Sequence, residues 1–316
     1  MIYSRARPLL FAIVGAILFG ASAPLAKVLL GEAHPVLLAG LLYLGCGAGL
    51  LAFSLARSAF GVKVGVQLTC KDTPWLAGAV LAGGVAAPIM LLLGLQSTPA
   101  ATASLLLNFE CVATTLIAAF MFQEYVGERA WAAIGLITAS SVVLSFDGAQ
   151  FGASLGAVSI IVACVLWGLD NNLTRSISSK DPVSIGIVKG TVSGAFSLAL
   201  ALLLGAPLPG PFIIMAAMLV GSLCYGLSIA LFILSMRHIG AARASALMGT
   251  APFAGVIVSF LIFRGAPDTS FYISAPLMVL GALLLFGEEH AHTHIHVHGT
   301  ITHEHIHRHD DQHRHH

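Results

Sequence analysis

A few side chains in this chain of 316 residues are of types and at spacings that could do chemistry. Glu110 stands in the otherwise apolar run Leu105-Leu106-Leu107-Asn108-Phe109-Glu110-Cys111-Val112. A carboxylate inside a membrane-spanning segment costs about 2.5–3.5 kcal/mol on insertion scales and is a functional candidate by default. Glu110 is about eleven residues into its run, roughly 16 Å along a helix, which is the bilayer midplane. It could exchange a proton or hold a cationic group lining a cavity. The alternative is a protonated brace that hydrogen-bonds a neighbouring helix. Asn108 is equally deep but on another part of the helix surface.

Asp170, Asn171 and Asn172 form a polar triplet about a turn before Arg175. Three successive residues spread over about 200° of a helix, so all three do not share one face. The triplet could line a pore, or it could be a polar helix end in which Asp170 pairs with Arg175. Trp167, one turn earlier, offers an aromatic wall or a cation–π face, or simple packing. Lys189 is about 10 Å into its own run. It could pair with Asp170, bind a substrate carboxylate, or snorkel to the interface. Tyr225 and Ser22 are candidate polar lining. These residues form the candidate substrate or coupling set, and no catalytic residue is expected.

The other chemistry-bearing group is at the C-terminus. Twelve of the 14 histidines fall there: His290, His292, His294, His296, His298, His303, His305, His307, His309, His313, His315 and His316. Imidazole suits Zn, Ni and Co. Spacing of two places side chains on one face of an extended strand. A metal-binding tail is expected, with a solvated low-complexity tail or a pH-sensitive charge cluster as the bland alternatives.

The elements that must position these groups follow from composition. The chain is 57% hydrophobic and 9% charged, with a mean hydropathy of +0.92. A typical soluble domain is about 25% charged. This is an all-α integral membrane protein, with the lipid bilayer as its first partner. With 15 Lys+Arg against 14 Asp+Glu it has no basic footprint for nucleic acid. Five cysteines without CxxC spacing read as small buried hydrophobes. No nucleotide loop, HExxH or serine–histidine pairing appears in the apolar part, so an enzyme is not expected, and no cofactor is required. The first apolar run is too long for a cleavable signal peptide.

Ten apolar runs are long enough to cross a bilayer, at about 8–30, 35–56, 74–95, 99–122, 130–147, 154–175, 182–205, 211–235, 240–263 and 270–287. Short polar or Gly/Pro breaks separate them, so neighbours in sequence are antiparallel neighbours in space. Pro24, Pro88, Pro252 and Pro276 are expected to kink their helices. With the N-terminus in the cytoplasm, the inner segments hold Arg5, Arg7, Arg57, Lys63, Lys71, Arg129, Arg175, Lys180, Arg237 and Arg243, and the outer loops hold only Arg264. That bias places both termini in the cytoplasm of a cell inner membrane.

The chain also repeats itself. Phe19-Gly20…Lys27 aligns with Trp167-Gly168…Arg175, and Ala101-Thr102-Ala103-Ser104-Leu105 aligns with Ala242-Arg243-Ala244-Ser245-Ala246. Each half has five spans, an odd number, so the second half is inverted, and equivalent loops carry opposite charge bias. Inverted repeats are a secondary-transporter architecture with a site at the repeat interface. Three regions result: 1–147 and 148–287, each a five-helix repeat, and a disordered His-rich cytoplasmic tail, 288–316.

The order Gly221-x-x-x-Tyr225-Gly226, Ala241 to Leu247, Pro252 and the span ending at Phe286 resembles the second half of an EamA-type member of the drug/metabolite transporter superfamily. Span four followed by Phe122-Gln123-Glu124 resembles the first half. The resemblance covers about 8–287, and Trp167 to Arg175 is similar to a branch with histidine-rich C-termini. It departs where repeat one has Cys111 against Pro252 and Glu124 against Gly265. It implies an exporter of a small organic metabolite working by alternating access without ATP. Transport of a divalent transition metal is the alternative that the tail suggests. Substrate and coupling ion stay open at this point, as does pairing into a homodimer.

Overall fold

The computed structural model describes residues 3–60, 65–123, 126–147, 152–286, 292–298 and 301–307. Lipid offers no partner to backbone N–H and C=O groups, so apolar runs satisfy their own by coiling. The helical stretches are α1 Tyr3–Leu29, α2 Pro35–Ala59, α3 Cys70–Ser97, α4 Ala100–Phe122, α5 Glu128–Ser145, α6 Leu155–Arg175, α7 Pro182–Leu203, α8 Pro211–Ile239, α9 at 241–263 and α10 Thr269–Phe286. Among the described residues seven of these, α1 to α4 and α6 to α8, are long and apolar enough to cross a membrane. The C-terminal piece of α9 and α10 form shorter apolar helices. Proline in the first turn opens α2, α7 and α8, where its missing N–H is not needed.

Four helices are irregular, and the irregularities come in pairs. In α3 a π-helical turn spans Val80–Ala86, and in α8 one spans Gly221–Leu227, 141 positions later. α4 is broken into Ala100–Leu106 and Phe109–Phe122, and α9 into Ala241–Met248 and Ala251–Phe263. At the first break Asn108 Nδ2 donates to the Leu105 carbonyl at 3.0 Å. At the second, Thr250 Oγ1 donates to the Leu247 carbonyl at 2.7 Å. In each case the carbonyl three residues back accepts both the side chain and the N–H of the same residue, the latter at 3.1 Å, a tight turn that interrupts the regular ladder. The two halves of the sequence therefore share one fold.

Packing between the halves is reciprocal. α1 packs on α8 and on the C-terminal piece of α9, and α6 packs on α3 and on the C-terminal piece of α4. α2 lies along α7, and α5 along α10. Each half thus lends its first helix to the third and fourth helices of the other, as a two-fold relation requires. Matched glycines allow the close crossings. A Cβ on Gly20 would fall 2.1 Å from the Ala251 carbonyl oxygen, and one on Gly168 would fall 2.9 Å from the Ala113 and Thr114 backbone. In lipid, where no hydrophobic drive joins helices, such small residues supply the packing.

Two short strands, Phe146–Asp147 and Gly152–Ala153, pair between α5 and α6. Most of the tail lies outside the described residues. His292–His298 and Ile301–His307 pair as an antiparallel hairpin. The sequence alternates histidine with Thr, Ile or Val over most of both strands, and a period of two with β-branched residues is a strand pattern. His290, His309, His313, His315 and His316 lie outside the described residues.

Candidate functional site

Two polar groups meet on α6, on its consecutive residues Asp170 and Asn171. Asn171 Nδ2 donates to Glu110 Oε1 at 2.9 Å and to Thr114 Oγ1 at 3.1 Å. Thr114 is one turn beyond Glu110 on α4, so both acceptors present one face to α6. Asn172 Nδ2 donates to the Thr114 carbonyl at 3.0 Å and to the Gly168 carbonyl at 2.8 Å. Asn172 is buried and pins α6 to α4, a bracing contact. No cation lies within ion-pair distance of Glu110 among the described residues.

Asn171, one turn before the end of α6, is solvent-accessible. The accessible valines of α6 are Val158, Val162 and Val165, which form its lipid stripe. At about 100° per residue Asn171 is roughly 180° around the helix from Val162. Its exposure is on the side of α6 that faces Glu110 and Thr114, both half-buried.

The second group is an ion pair. Lys189 Nζ lies 2.6 Å from both carboxylate oxygens of Asp170. Thr174 Oγ1 donates to Asp170 Oδ1 at 3.0 Å. Asp170 thus pairs with Lys189 on α7 and not with Arg175, whose guanidinium lies over the Phe122 ring at 5.2 Å. The bare backbone of Gly83 in the α3 π-turn makes room for it: a Cβ there would fall 1.9 Å from Asp170 Oδ2. The Gly83 carbonyl, tilted out by that turn, accepts from Tyr43 Oη at 2.7 Å and Trp167 Nε1 at 3.0 Å. Tyr225 stacks across to Tyr43 (6.0 Å between centroids) and meets Phe19 edge-on at 5.9 Å. A line of aromatic rings, Trp167, Tyr43, Tyr225 and Phe19, crosses from one repeat to the other.

Of the residues singled out from sequence, the structure gathers Glu110 with Asn171, Asp170 with Lys189, and Trp167 and Tyr225 on the aromatic line. Asn108 stays apart as the cap of the α4 break. Thr114, Tyr43 and Gly83 were not in the candidate set. The Thr114 spacing of four from Glu110 and the Gly83-Gly84 pair inside an apolar run were the available signals.

Two features lie at the ends of the bundle. At one end a cavity of about 300 Å³ is lined by Lys27, Thr102, Ser259, Phe260, Phe263 and Asp268 among others. Lys27 Nζ there caps α3, donating to the Leu95 and Thr98 carbonyls at 2.5 and 2.8 Å. This cavity is well away from Glu110. At the other end Arg57 makes a two-pronged bridge to Asp181, both contacts 3.1 Å and both side chains buried. Burial opposes the Asp181 charge, but the Arg57 guanidinium and the Ser184 hydroxyl and amide outweigh it and hold the carboxyl below the usual carboxylate range. The Asp181 N–H also donates to the Val66 carbonyl at 2.8 Å, and Lys180 bridges to Asp72 at 3.2 Å, so the α2–α3 linker is strapped to the start of α7.

Comparison with known proteins agrees with this architecture. The EamA-like transporter family profile matches residues 6–146 and 154–287, one match per repeat. An uncharacterized transporter of Methanothermobacter thermautotrophicus (strain Delta H) is 29% identical over 292 residues, spanning 87% of this chain and 84% of its own. A solved crystal structure at 22% identity superposes with a TM-score of 0.63 over 89% of this chain and 96% of that one, a likeness of fold.

Proposed function

Because the chain belongs to the EamA-like transporter family, a family of membrane transporters, we propose that it is a secondary carrier that exports small organic metabolites by alternating access. In this reading all ten helical stretches cross the membrane, and the halves are related by an axis in the membrane plane. The reciprocal packing of α1 and α6 supports that relation. The Lys/Arg bias supports an inner-membrane orientation with both termini in the cytoplasm, which puts the Lys27 cavity outside and the Arg57–Asp181 bridge inside.

The packing of α4 against α9 supports two-sided access. Under the repeat relation, the contact of Ala100–Leu106 with Ala251–Phe263 is equivalent to that of Ala241–Met248 with Phe109–Phe122. The first pair packs closely, and the second does not reach comparable packing among the described residues. In this reading the close packing of the first pair closes the seam at the outer end. Exchanging the two contacts about the breaks at 107–108 and 249–250 would give the opposite state.

The observation that carries the site is Glu110, in the membrane-spanning α4, held by Asn171 and with no ion-pair partner among the described residues. Asp170 is neutralised by Lys189. Glu110 is then the group with charge to exchange, taking up a proton or the cationic group of a substrate. Transport of a transition metal has no comparable support: no cluster of three metal-ligating side chains is found among the described residues.

A deletion strain grown against panels of metabolites and metals tests the reading. Complementation by the full chain should lower the intracellular level of one organic metabolite and raise it in the medium. A phenotype confined to metals would overturn the reading.

A further inference from the structure

The reciprocal packing divides the bundle into two groups. One is α1 with α8 and the second piece of α9, and the other is α6 with α3 and the second piece of α4. Lys27 stands on α1, in the first group, and its ammonium reaches the end of α3, in the second. Nζ donates to the Leu95 carbonyl at 2.5 Å and to the Thr98 carbonyl at 2.8 Å. The local backbone leaves both oxygens over. Pro99, four residues after Leu95, has no N–H to return to it. Thr98 is extended, with ψ 135°, between the last turn of α3 and the first of α4, so its carbonyl belongs to neither helix ladder. The negative end of the α3 dipole adds to the attraction for an ammonium.

These carbonyls flank the corner that leads into Ala100–Leu106, the piece of α4 that packs on Ala251–Phe263. Seven residues before Lys27, about 10 Å deeper along α1, the same elements are in close contact. A Cβ on Gly20 would meet the Ala251 carbonyl oxygen, and one on Gly255 would fall 2.8 Å from Ser104 Oγ. Around Lys27 they part to form the cavity of about 300 Å³ whose walls include Thr102, Phe260 and Asp268. Lys27 therefore sits where the closed seam gives way to an opening. It is half-buried, and water can replace each of its hydrogen-bond partners, so the contact is of a kind that breaks and reforms.

We infer that Lys27 is a positioning residue of the outer gate: its ammonium ties α1 to the α3–α4 corner while the outer end is closed, and releases that corner when the outer end opens. The inference rests on the alternating-access reading and adds the group that holds one of its two states.

The test reads the distance across the outer end of the full chain in lipid nanodiscs by pulsed electron–electron resonance. Spin labels are placed on Gln96→Cys, at the end of α3, and Arg264→Cys, at the end of α9, both exposed positions. Exposed Cys70 is replaced by Ser and half-buried Cys111 by Ala in every sample. Lys27→Met keeps the apolar stem and removes all three donors. It should raise the ratio of the long to the short distance about tenfold, as the loss of hydrogen bonds from a charged donor implies. Lys27→Arg keeps charge and donors and should hold the ratio near that of the unaltered chain. Lys27→Gln keeps a donor without the charge and should fall between, and it carries the test if the Met variant does not fold. Two distances whose ratio is the same in the unaltered chain and in Lys27→Met or Lys27→Gln, with only the melting temperature lowered, would make Lys27 a static helix cap and overturn the inference. One distance that no variant alters would instead remove the alternating-access reading, and the gate with it.

Discussion

Lys189 and Asp170 face each other across the α6–α7 interface, with the ammonium 2.6 Å from both carboxylate oxygens. The contact joins the first two helices of the second repeat and sits against the Gly83 backbone of the first. It cancels two charges in the membrane interior, and Glu110 one helix face away has no ion-pair partner among the described residues.

The first prediction concerns that pair. Removing one partner of a buried ion pair costs about 3–5 kcal/mol, because the other charge is left buried alone. Lys189→Met should therefore sharply reduce the folded protein recovered from membranes. Adding Asp170→Asn should restore most of it. Size-exclusion profiles and thermal unfolding in detergent report both. Equal recovery of the single and double variants would mean that the two charges are not coupled.

The second concerns the Arg57–Asp181 bridge. Arg57→Met, Asp181→Asn and the double variant form a cycle whose coupling should be on the order of 0.5–3 kcal/mol. The Asp181 carboxyl is held below its ordinary range, so its stabilising contribution is complete above about pH 3.9, its unfolded value. That contribution is lost as pH falls through the lower folded value. The unaltered chain should lose this stability below about pH 4, and the double variant should lack that part of its acid sensitivity. Thermal unfolding across pH 3–7 is the measurement.

The third separates tight helix crossings from open glycines. Gly20→Ala drives a methyl group to 2.1 Å from the Ala251 carbonyl oxygen, so α1 and α9 must move apart. Gly135 on α5 has nothing within 4 Å of an added Cβ. Alanine there should be neutral or add up to about 0.5–1 kcal/mol through helix propensity. Melting temperatures should fall for the first and hold or rise for the second. The reverse order would contradict the reciprocal packing.

Much of the bundle was legible because lipid imposes long apolar helices and short breaks. The repeat was legible in Phe19-Gly20 against Trp167-Gly168. The breaks in α4 and α9 were not: Asn108 entered the candidate set as polar lining, Thr250 did not stand out, and neither residue type reveals that its side chain turns back to the carbonyl three residues earlier. The candidate site was legible one residue at a time through Glu110, Asp170 and Lys189, since charge in an apolar run stands out. Their partners were hidden. Gly83 acts through a carbonyl that only a π-turn presents, and Tyr43 and Thr114 are unremarkable side chains in a helix.

The central claim is that Glu110 carries the exchangeable charge, and Glu110→Gln tests it most directly. Glutamine keeps the size and an oxygen acceptor for Asn171, and it removes the ionisable group. In the deletion strain, efflux of the complementing metabolite into the medium is followed for the unaltered chain and the variant, with membrane levels and melting temperature measured alongside. The account predicts a normally folded variant at normal membrane level with efflux reduced to that of the empty strain. Efflux at the unaltered rate would contradict it and leave Glu110 as a brace between α4 and α6.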